Sequence, residues 1–451
     1  MSDNSAETDF IRNPHRTIIT LSIPVLFAMI AEPLTGLADT FFVKELGETA
    51  QAALGIGTAA LSSSFWIFSF LGVGTQTEVA QASGKSDQER TKQLVSLSLA
   101  LAAAISILVI ALTVPLAPAI ARALGAEDAS IAEAVAYVRA RMIGAPAVLL
   151  MMVIMGALRG KQQMRMTLYL AVGINIMNVL LDPLLIFGWG AIPAFGVAGA
   201  GVASSISQWL GALVGLVVIS RHIGFSRDLH WRDARKLLVV GSDLIVRTGA
   251  LTLYLMFATR IANQAGSAAG AAHQAIRQIS FFAALFLDAF AVTAQSVVGY
   301  FVGANDWQRA KEVVRVCVGW AIGAGISLSI VFLASRAIVA QWFVTPSAHP
   351  EFYSAWGVAT VGLGISALAF LTDGVHWGTG DYRFLRNVML ISSTIAGSLL
   401  LLINRTALAN NALFWIWAFT TLWNVVRAIL GMLRVWPGIW NSPFVTKPKF
   451  S

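Results

Sequence analysis

The sequence is poor in charge. Only 12% of its 451 residues are Asp, Glu, Lys or Arg, about half the share found in soluble domains. That shortage excludes an ordinary water-soluble globule. A hydrophobic fraction of 57% and a mean hydropathy of +0.72 point to lipid as the solvent. Cysteine is almost absent. Cys317 is the single one and lies in an apolar run, so no intrachain disulfide forms and its expected role is packing. The first residues, MSDNSAETDFIRNPHRT, lack the n-region, h-region and cleavage site of a signal peptide. The first span is therefore expected to double as the insertion signal. Enzyme motifs are missing too: no GxxxxGK[ST], no HExxH, no paired CxxC and no GxSxG. Neither catalysis, a cofactor nor ATP as energy source is expected. The net charge of +8 does not signal nucleic acid, because the basic residues lie in short loops, where they set orientation.

What is present is long apolar runs. The pattern predicts an all-α membrane protein with twelve spans, at roughly 17–43, 50–82, 94–118, 132–157, 166–188, 196–220, 237–262, 268–302, 312–335, 353–376, 385–403 and 411–433. The linkers alternate. SGKSDQERTK, LRGKQQMR, SRHIGFSRDLHWRDARK, GANDWQRAK and GTGDYRFLR are basic, whereas GWGAIPAFG and NQAGSAAG carry no charge. The positive-inside rule then places both termini in the cytoplasm.

The chain also repeats itself. Shifted by about 219 residues, GVGTQTEVAQASGKSDQERTKQLV lies on AVTAQSVVGYFVGANDWQRAKEVV without a gap. Gln76 meets Gln295, Gly84 meets Gly303, Asp87 meets Asp306, Arg90 meets Arg309 and Lys92 meets Lys311. Compositional bias explains matched Ala and Gly but not matched Gln, Asp, Arg and Lys. Each half holds six spans, so the halves enter from the same side and relate by an axis along the membrane normal. The expected domains are an N-lobe at 1–225 and a C-lobe at 226–451, joined by the basic linker near 221–236. Transporters are often built this way; a channel or receptor has less need of the duplication.

Seven acidic residues fall within spans: Glu32, Asp39, Glu78, Asp182, Asp243, Asp288 and Asp373. A carboxylate in hydrocarbon costs roughly 2.5–3.5 kcal/mol on insertion scales, so such groups face a bundle interior or a wet cavity. Asp39 lies near the outer end of the first span, with Glu32 two turns earlier on the same face. Pro33 and Gly36 between them permit a bend. On the fifth span Asn178 and Asp182 share a face, at a depth like that of Asp39. Two carboxylates and an amide can share a proton, and the same oxygens can bind Na⁺ as hard ligands. Tyr137 and Ser204 offer hydroxyls to such a site. In the second half Asp243 and Arg247 are expected to pair within one helix. Asp288 and Arg277 are three turns apart and can join the same network. Asp373, His376 and Glu78 are expected in wet, structural settings near the cytoplasmic end. Fourteen Trp and 25 Phe exceed what interfacial belts need, so some can line a cavity for flat cations.

These stretches resemble a known family. PLTGLADTFFVKELGETAQAALGIGTA is similar to the first-helix signature of the multidrug and toxic compound extrusion (MATE) transporters. LRGKQQMR, NIMNVLLDPLLIFG and GVAGAGVASSISQW resemble the helix 4 to 6 region of that family. SDLIVRTGAL and LFLDAFAVTAQSVVGYFVGA resemble its DinF-like branch. The resemblance implies twelve helices in two pseudo-symmetric six-helix lobes and export of organic cations or amphiphilic drugs against inward H⁺ or Na⁺. It implies that Asp39 is the coupling carboxylate and that Tyr137, Asn178, Asp182 and Ser204 stand at the other N-lobe cation positions; Ser204 replaces a frequent Thr. It implies that Asp243, Arg247 and Asp288 belong to the DinF-like pattern. The acidic pair that carries Na⁺ coupling in the other bacterial branch has no clear counterpart here, which favours an N-lobe proton mechanism. The expected setting is a bacterial inner membrane, as a monomer among lipids with a small amphiphilic or cationic substrate. A flippase for lipids or lipid-linked precursors is the alternative, weakened by the acidic rather than cationic outer charges. A non-transporting signalling membrane protein is a third reading.

Overall fold

In lipid every backbone polar group must be satisfied within its own segment, so an apolar chain of this length folds as helices. The computed structural model describes residues 5–403 and 407–445. Sixteen α-helices account for nearly all of them: α1 (Ser5–Arg12), α2 (Pro14–Val43), α3 (Glu48–Trp66), α4 (Phe70–Gly84), α5 (Gln88–Ala123), α6 (Asp128–Ile143), α7 (Ala145–Gly160), α8 (Met164–Ile186), α9 (Val197–His222), α10 (Trp231–Gln264), α11 (Ser267–Gly303), α12 (Trp307–Ala334), α13 (Arg336–Phe343), α14 (His349–Thr379), α15 (Tyr382–Ile403) and α16 (Ala412–Val435). The described residues contain no strand beyond one isolated bridge between Trp189 and Ile192.

Ten of these helices are long and apolar enough to cross a membrane, and α6 with α7, bent by 49° at their junction, meet the same criterion as a pair. The bend falls where Gly144 is followed by a proline at the start of α7, which removes a helix donor. The remaining expected span, 50–82, consists of α3 and α4 around a 3₁₀ turn at Ile67–Ser69. All twelve sequence-predicted spans thus correspond to helical segments.

The repeat is written into the backbone. Gly47 and Gly266, one period apart, both take positive φ (104° and 132°) at the entries to α3 and α11. Ser86 and Asn305 are both left-handed. Asp87 and Asp306 cap α5 and α12 alike, accepting from the Arg90 and Arg309 N–H groups at 2.9 and 3.0 Å. Within each half the same helices pack. α4 crosses α7 so closely that a Cβ on Gly156 would sit 2.4 Å from the Gly72 carbonyl oxygen. At the equivalent crossing of α11 and α14, a Cβ on Gly374 would sit 2.0 Å from the Ala291 carbonyl oxygen. Gly160 and Gly378, one turn on, meet the Gln76 and Gln295 carbonyls in the same manner.

The compact units divide the chain differently from halves at 1–225 and 226–451. One unit is Ile23–Gly241; the other joins the described parts of 1–22 to 242–445. Both boundaries fall inside helices, α2 and α10. The reason is packing at their starts. Phe10 and Ile18 are buried in the second unit's core beside Phe301 and Cys317, and the Ser22 hydroxyl donates to Thr293 at 3.0 Å. The first turns of α10 do the reverse. Ala234 and Leu237 pack on Leu97, Arg90 holds Asp233 at 2.6 Å, and Lys236 holds Glu78 at 2.7 Å.

Candidate functional site

Two buried polar clusters stand out, one in each unit. In the first unit α2 ends at Val43 and α8 at Ile186, and each carries an aspartate one turn from that end. Asp39 is 8% exposed and Asp182 fully buried, and their carboxyl groups lie within hydrogen-bonding reach of each other. Two carboxyl groups meet in this way only if a proton lies between them. Asn178, one turn before Asp182, completes the group. One orientation of its amide donates to Asp182 Oδ1 at 3.4 Å and to Ser204 Oγ at 3.3 Å. The other donates to Asp39 Oδ1 at 3.2 Å and accepts from the Ser204 N–H at 3.3 Å. The second matches donor to acceptor on both sides, and we assign it.

α6 closes the site. Tyr137 is buried, and its hydroxyl lies 3.5 Å from Thr58 Oγ1 on α3. Its ring presses on Gly57, where a Cβ would come within 2.4 Å of the ring carbon Cδ1, so only glycine admits it. Arg141, one turn further along α6, reaches the Tyr137 hydroxyl and lies near Asp39. Sequence reasoning missed this arginine, although its spacing of four from Tyr137 was readable. Thr35 and Asn175 also bond across α2 and α8. Pro33 lies inside α2, half-buried, and leaves the Met29 carbonyl without its helix donor. The Glu32 side chain lies outside the described residues. A cavity of about 270 Å³ in the same unit is lined by Leu46, Glu133, Ala136 and Phe195 to Ala198, and none of the site's polar residues lines it.

The second unit's cluster corrects three expectations. Asp243 and Arg247 do not pair along α10. Arg247 bonds Asp373 on α14, and Asp243 bonds Arg386 on α15. Cross-helix partners win because an extended guanidinium reaches a neighbouring helix at the same depth. Arg277 stands apart, exposed, with its bonds to Gln274 at 2.9 and 3.2 Å. The arginine that feels Asp288 is Arg427 on α16 instead. Asp373 and His376 are not wet; they are 5% and 0% exposed. Arg427 donates to Asp373 at 2.6 Å and to Asn424 at 2.8 Å, and Asn424 donates to Ser366 at 2.9 Å. The Arg427 guanidinium lies 4.6 Å from the Trp423 ring centre and that of Arg247 lies 5.1 Å from Trp377. Arg386 lay at a span end in the sequence, where basic residues read as orientation signals, whereas Asn424 and Arg427 lay inside the last span with nothing in their spacing to name a partner.

A repeated helical membrane protein with a carboxyl pair buried in one half and an Arg–Asp network in the other has the makings of a transporter. The chain belongs to the MatE family: its family model matches twice, at residues 24–184 and 244–403, one match per repeat. Over 447 residues it is 28% identical to Protein DETOXIFICATION 44, chloroplastic, of Arabidopsis thaliana, covering 94% of this chain and 84% of that protein. The DNA damage-inducible protein F of Escherichia coli (strain K12) is 26% identical over 96% of this chain and 94% of its own, which agrees with the expected DinF-like likeness. Among solved structures, a MOP superfamily transporter from Pyrococcus furiosus Vc1 superposes with a TM-score of 0.83 at 22% identity, covering 93% of this chain and 94% of that one. An outward-facing multidrug resistance MATE family transporter gives 0.84 at 22% identity, with 93% and 94% coverage. At that identity the structures speak for the fold. The protein is a multi-pass membrane protein of a transporter family.

Proposed function

We propose that the protein is a secondary antiporter that exports organic cations or amphiphilic drugs in exchange for inward H⁺ or Na⁺. The observation that carries the reading is the convergence of Asp39, Asn178 and Asp182 in one buried group fed from α2 and α8. Such groups in a bilayer are costly and mark ion paths. Tyr137 and Ser204 supply further oxygens. A cation arriving from outside neutralises the carboxyl pair and relieves its like-charge repulsion. α2 then bends at Pro33–Gly36, the N-terminal unit's cavity shrinks, and substrate leaves outward. The carrier reorients and gives the ion to the cytoplasm. Asp243, Arg247, Asp288 and Asp373 hold the second unit's helices in register during that change. The expected setting is the inner membrane with both termini cytoplasmic, the chain acting alone with no cofactor.

The test is transport of a fluorescent lipophilic cation by the purified chain in proteoliposomes. Asp39→Asn should insert normally and lose exchange to background under any ion gradient. Undiminished exchange in that variant would remove Asp39 from the mechanism.

A further inference from the structure

We propose that Glu133 gathers the coupling cation at the outer end of the first unit and so feeds the Asp39–Asp182 site. The proposal deepens the coupling reading above and rests on it. Glu133 is exposed near the start of α6 and is the one charged side chain among the residues that line the 270 Å³ cavity. Helix register places that cavity over the site. α6 and α9 touch at the depth of Tyr137, where a Cβ on Gly201 would stand 3.0 Å from the Tyr137 carbonyl oxygen. Further along, Ser205 Oγ donates to the Ala140 carbonyl at 2.8 Å, and a Cβ on Gly144 would stand 2.8 Å from Ser205 Cα. The register rises together on both helices, so they run parallel. Four residues back on each, one turn or about 6 Å nearer their starts, stand Glu133 and Val197, and both line the cavity. Ser204, which meets Asn178, lies two turns inward of Val197 on the same face. From α2 comes Leu46, seven residues past Asp39 in the 3₁₀ turn Lys44–Leu46. A Cβ on Gly196 would meet Leu46 Cδ1 at 4.0 Å, so this turn and the start of α9 form one wall. The cavity thus caps the end of the unit near which Asp39 and Asp182 lie, and Tyr137 is the site residue one turn inward of Glu133.

A carboxylate between low-dielectric walls focuses its field and raises the local concentration of cations. Leu46, Phe195 and Val197 supply those walls. The volume falls below the roughly 300–1,000 Å³ of pockets for drug-sized molecules, so it suits a small hydrated ion rather than the exported substrate. The charge acts through space and touches neither aspartate. It attracts H⁺ and Na⁺ alike, so the role does not depend on which ion drives exchange. The other charged or titratable groups at this end of the packed elements are Glu48 on α3, Arg122 on α5 and Asp128, Tyr137, Arg139 and Arg141 on α6 itself; α9 brings none before Arg221. Lys44, two residues from the cavity wall, is drawn off by Glu45 at 3.7 Å and by the Phe41 ring, whose centre is 4.3 Å away. The aspartates bind the ion; Glu133 raises the rate at which it reaches them.

The experiment uses right-side-out membrane vesicles carrying the full chain and loaded with a fluorescent lipophilic cation. Initial efflux is followed as external acidity or external Na⁺ is raised, whichever drives the wild type. Glu133→Gln should need about fivefold more external ion for half-maximal flux and still reach the wild-type maximum. Glu133→Asp, which keeps the charge, should stay near wild type, and Glu133→Lys should need more ion than Glu133→Gln. Added choline chloride should raise the half-saturating ion concentration of the wild type and leave that of Glu133→Gln nearly unchanged, because salt screens the field. A side chain that merely held the fold would lower the maximum instead. Equal half-saturation in Glu133→Gln and wild type, or a lowered maximum at unchanged half-saturation, would overturn the proposal. If Glu133→Gln fails to insert, Ala136→Lys decides, since it puts a positive charge on the same cavity wall with Glu133 in place. It should raise the half-saturating concentration too, and no shift there overturns the proposal. Loss of flux in Asp39→Asn alongside wild-type ion dependence in Glu133→Gln would sink this inference and leave the coupling reading standing. Persisting flux in Asp39→Asn would sink the coupling reading itself.

Discussion

Asp373 takes two guanidiniums on one carboxylate, from Arg247 and Arg427, on three different helices. Removing one member of a buried ion group costs far more than the group contributes, since the others are left uncompensated. Asp373→Asn should therefore destabilise the protein by roughly 3–5 kcal/mol, read as a lowered melting temperature in detergent. A melting temperature within a degree of wild type would mean that the two arginines find other partners. Asp39 differs in kind. It meets a carboxyl rather than an arginine head-on, so Asp39→Asn should leave the melting temperature intact while abolishing exchange. Together the two substitutions separate a structural acid from a coupling one. Asp39 and Asp182 were legible from depth and spacing alone. The partners of Asp243 and Arg247 were not, because spacing along one helix says nothing of what a neighbouring helix presents.

At the level of elements, α2 and the paired crossings matter most. α2 carries Pro33 between its first turns, where Ile18 and Ser22 pack on second-unit residues, and Asp39 near its end. Pro33→Ala restores a helix donor and a straight, stiffer helix. Exchange should fall several-fold with insertion unchanged, measured as initial flux per mole of protein; undiminished flux would remove the bend from the mechanism. The crossings α4–α7 and α11–α14 rest on glycines four apart, Gly156 with Gly160 and Gly374 with Gly378. Such pairs let helix backbones approach in lipid, where packing rather than hydrophobicity drives association. Gly374→Ala forces a Cβ onto a carbonyl oxygen and should cost about 1–3 kcal/mol by overpacking, seen as earlier thermal unfolding in detergent. The glycine spacing was readable in the sequence. Which helix lay opposite was not.

For the whole molecule, the two halves share a backbone plan but not a chemistry. Asp39 has Ala258 as its counterpart one period on, and the region matching Asp182 holds Leu400 and Leu401. A duplicated scaffold thus carries an acidic site in one unit and an Arg–Asp network in the other. Its orientation is testable with cysteines, since Cys317 is fully buried and should stay silent. In a Cys317→Ala background, Ala194→Cys should react with an impermeant maleimide in intact cells, and Asn305→Cys only after permeabilisation. The opposite pattern would invert the proposed topology.

The sequence by itself determined the class, the twelve helical segments, the repeat and the carboxylates of the first unit. Apolar length, loop charge and residue spacing are one-dimensional quantities, and lipid leaves the backbone a single solution for each run. Only the tertiary structure decided that the unit boundaries fall inside α2 and α10, that Arg427 rather than Arg277 feels Asp288, and that Arg141 lies near Asp39. Those outcomes depend on which faces of distant helices meet at a given depth. That is set by three-dimensional packing among many similar apolar surfaces, and no local pattern encodes it.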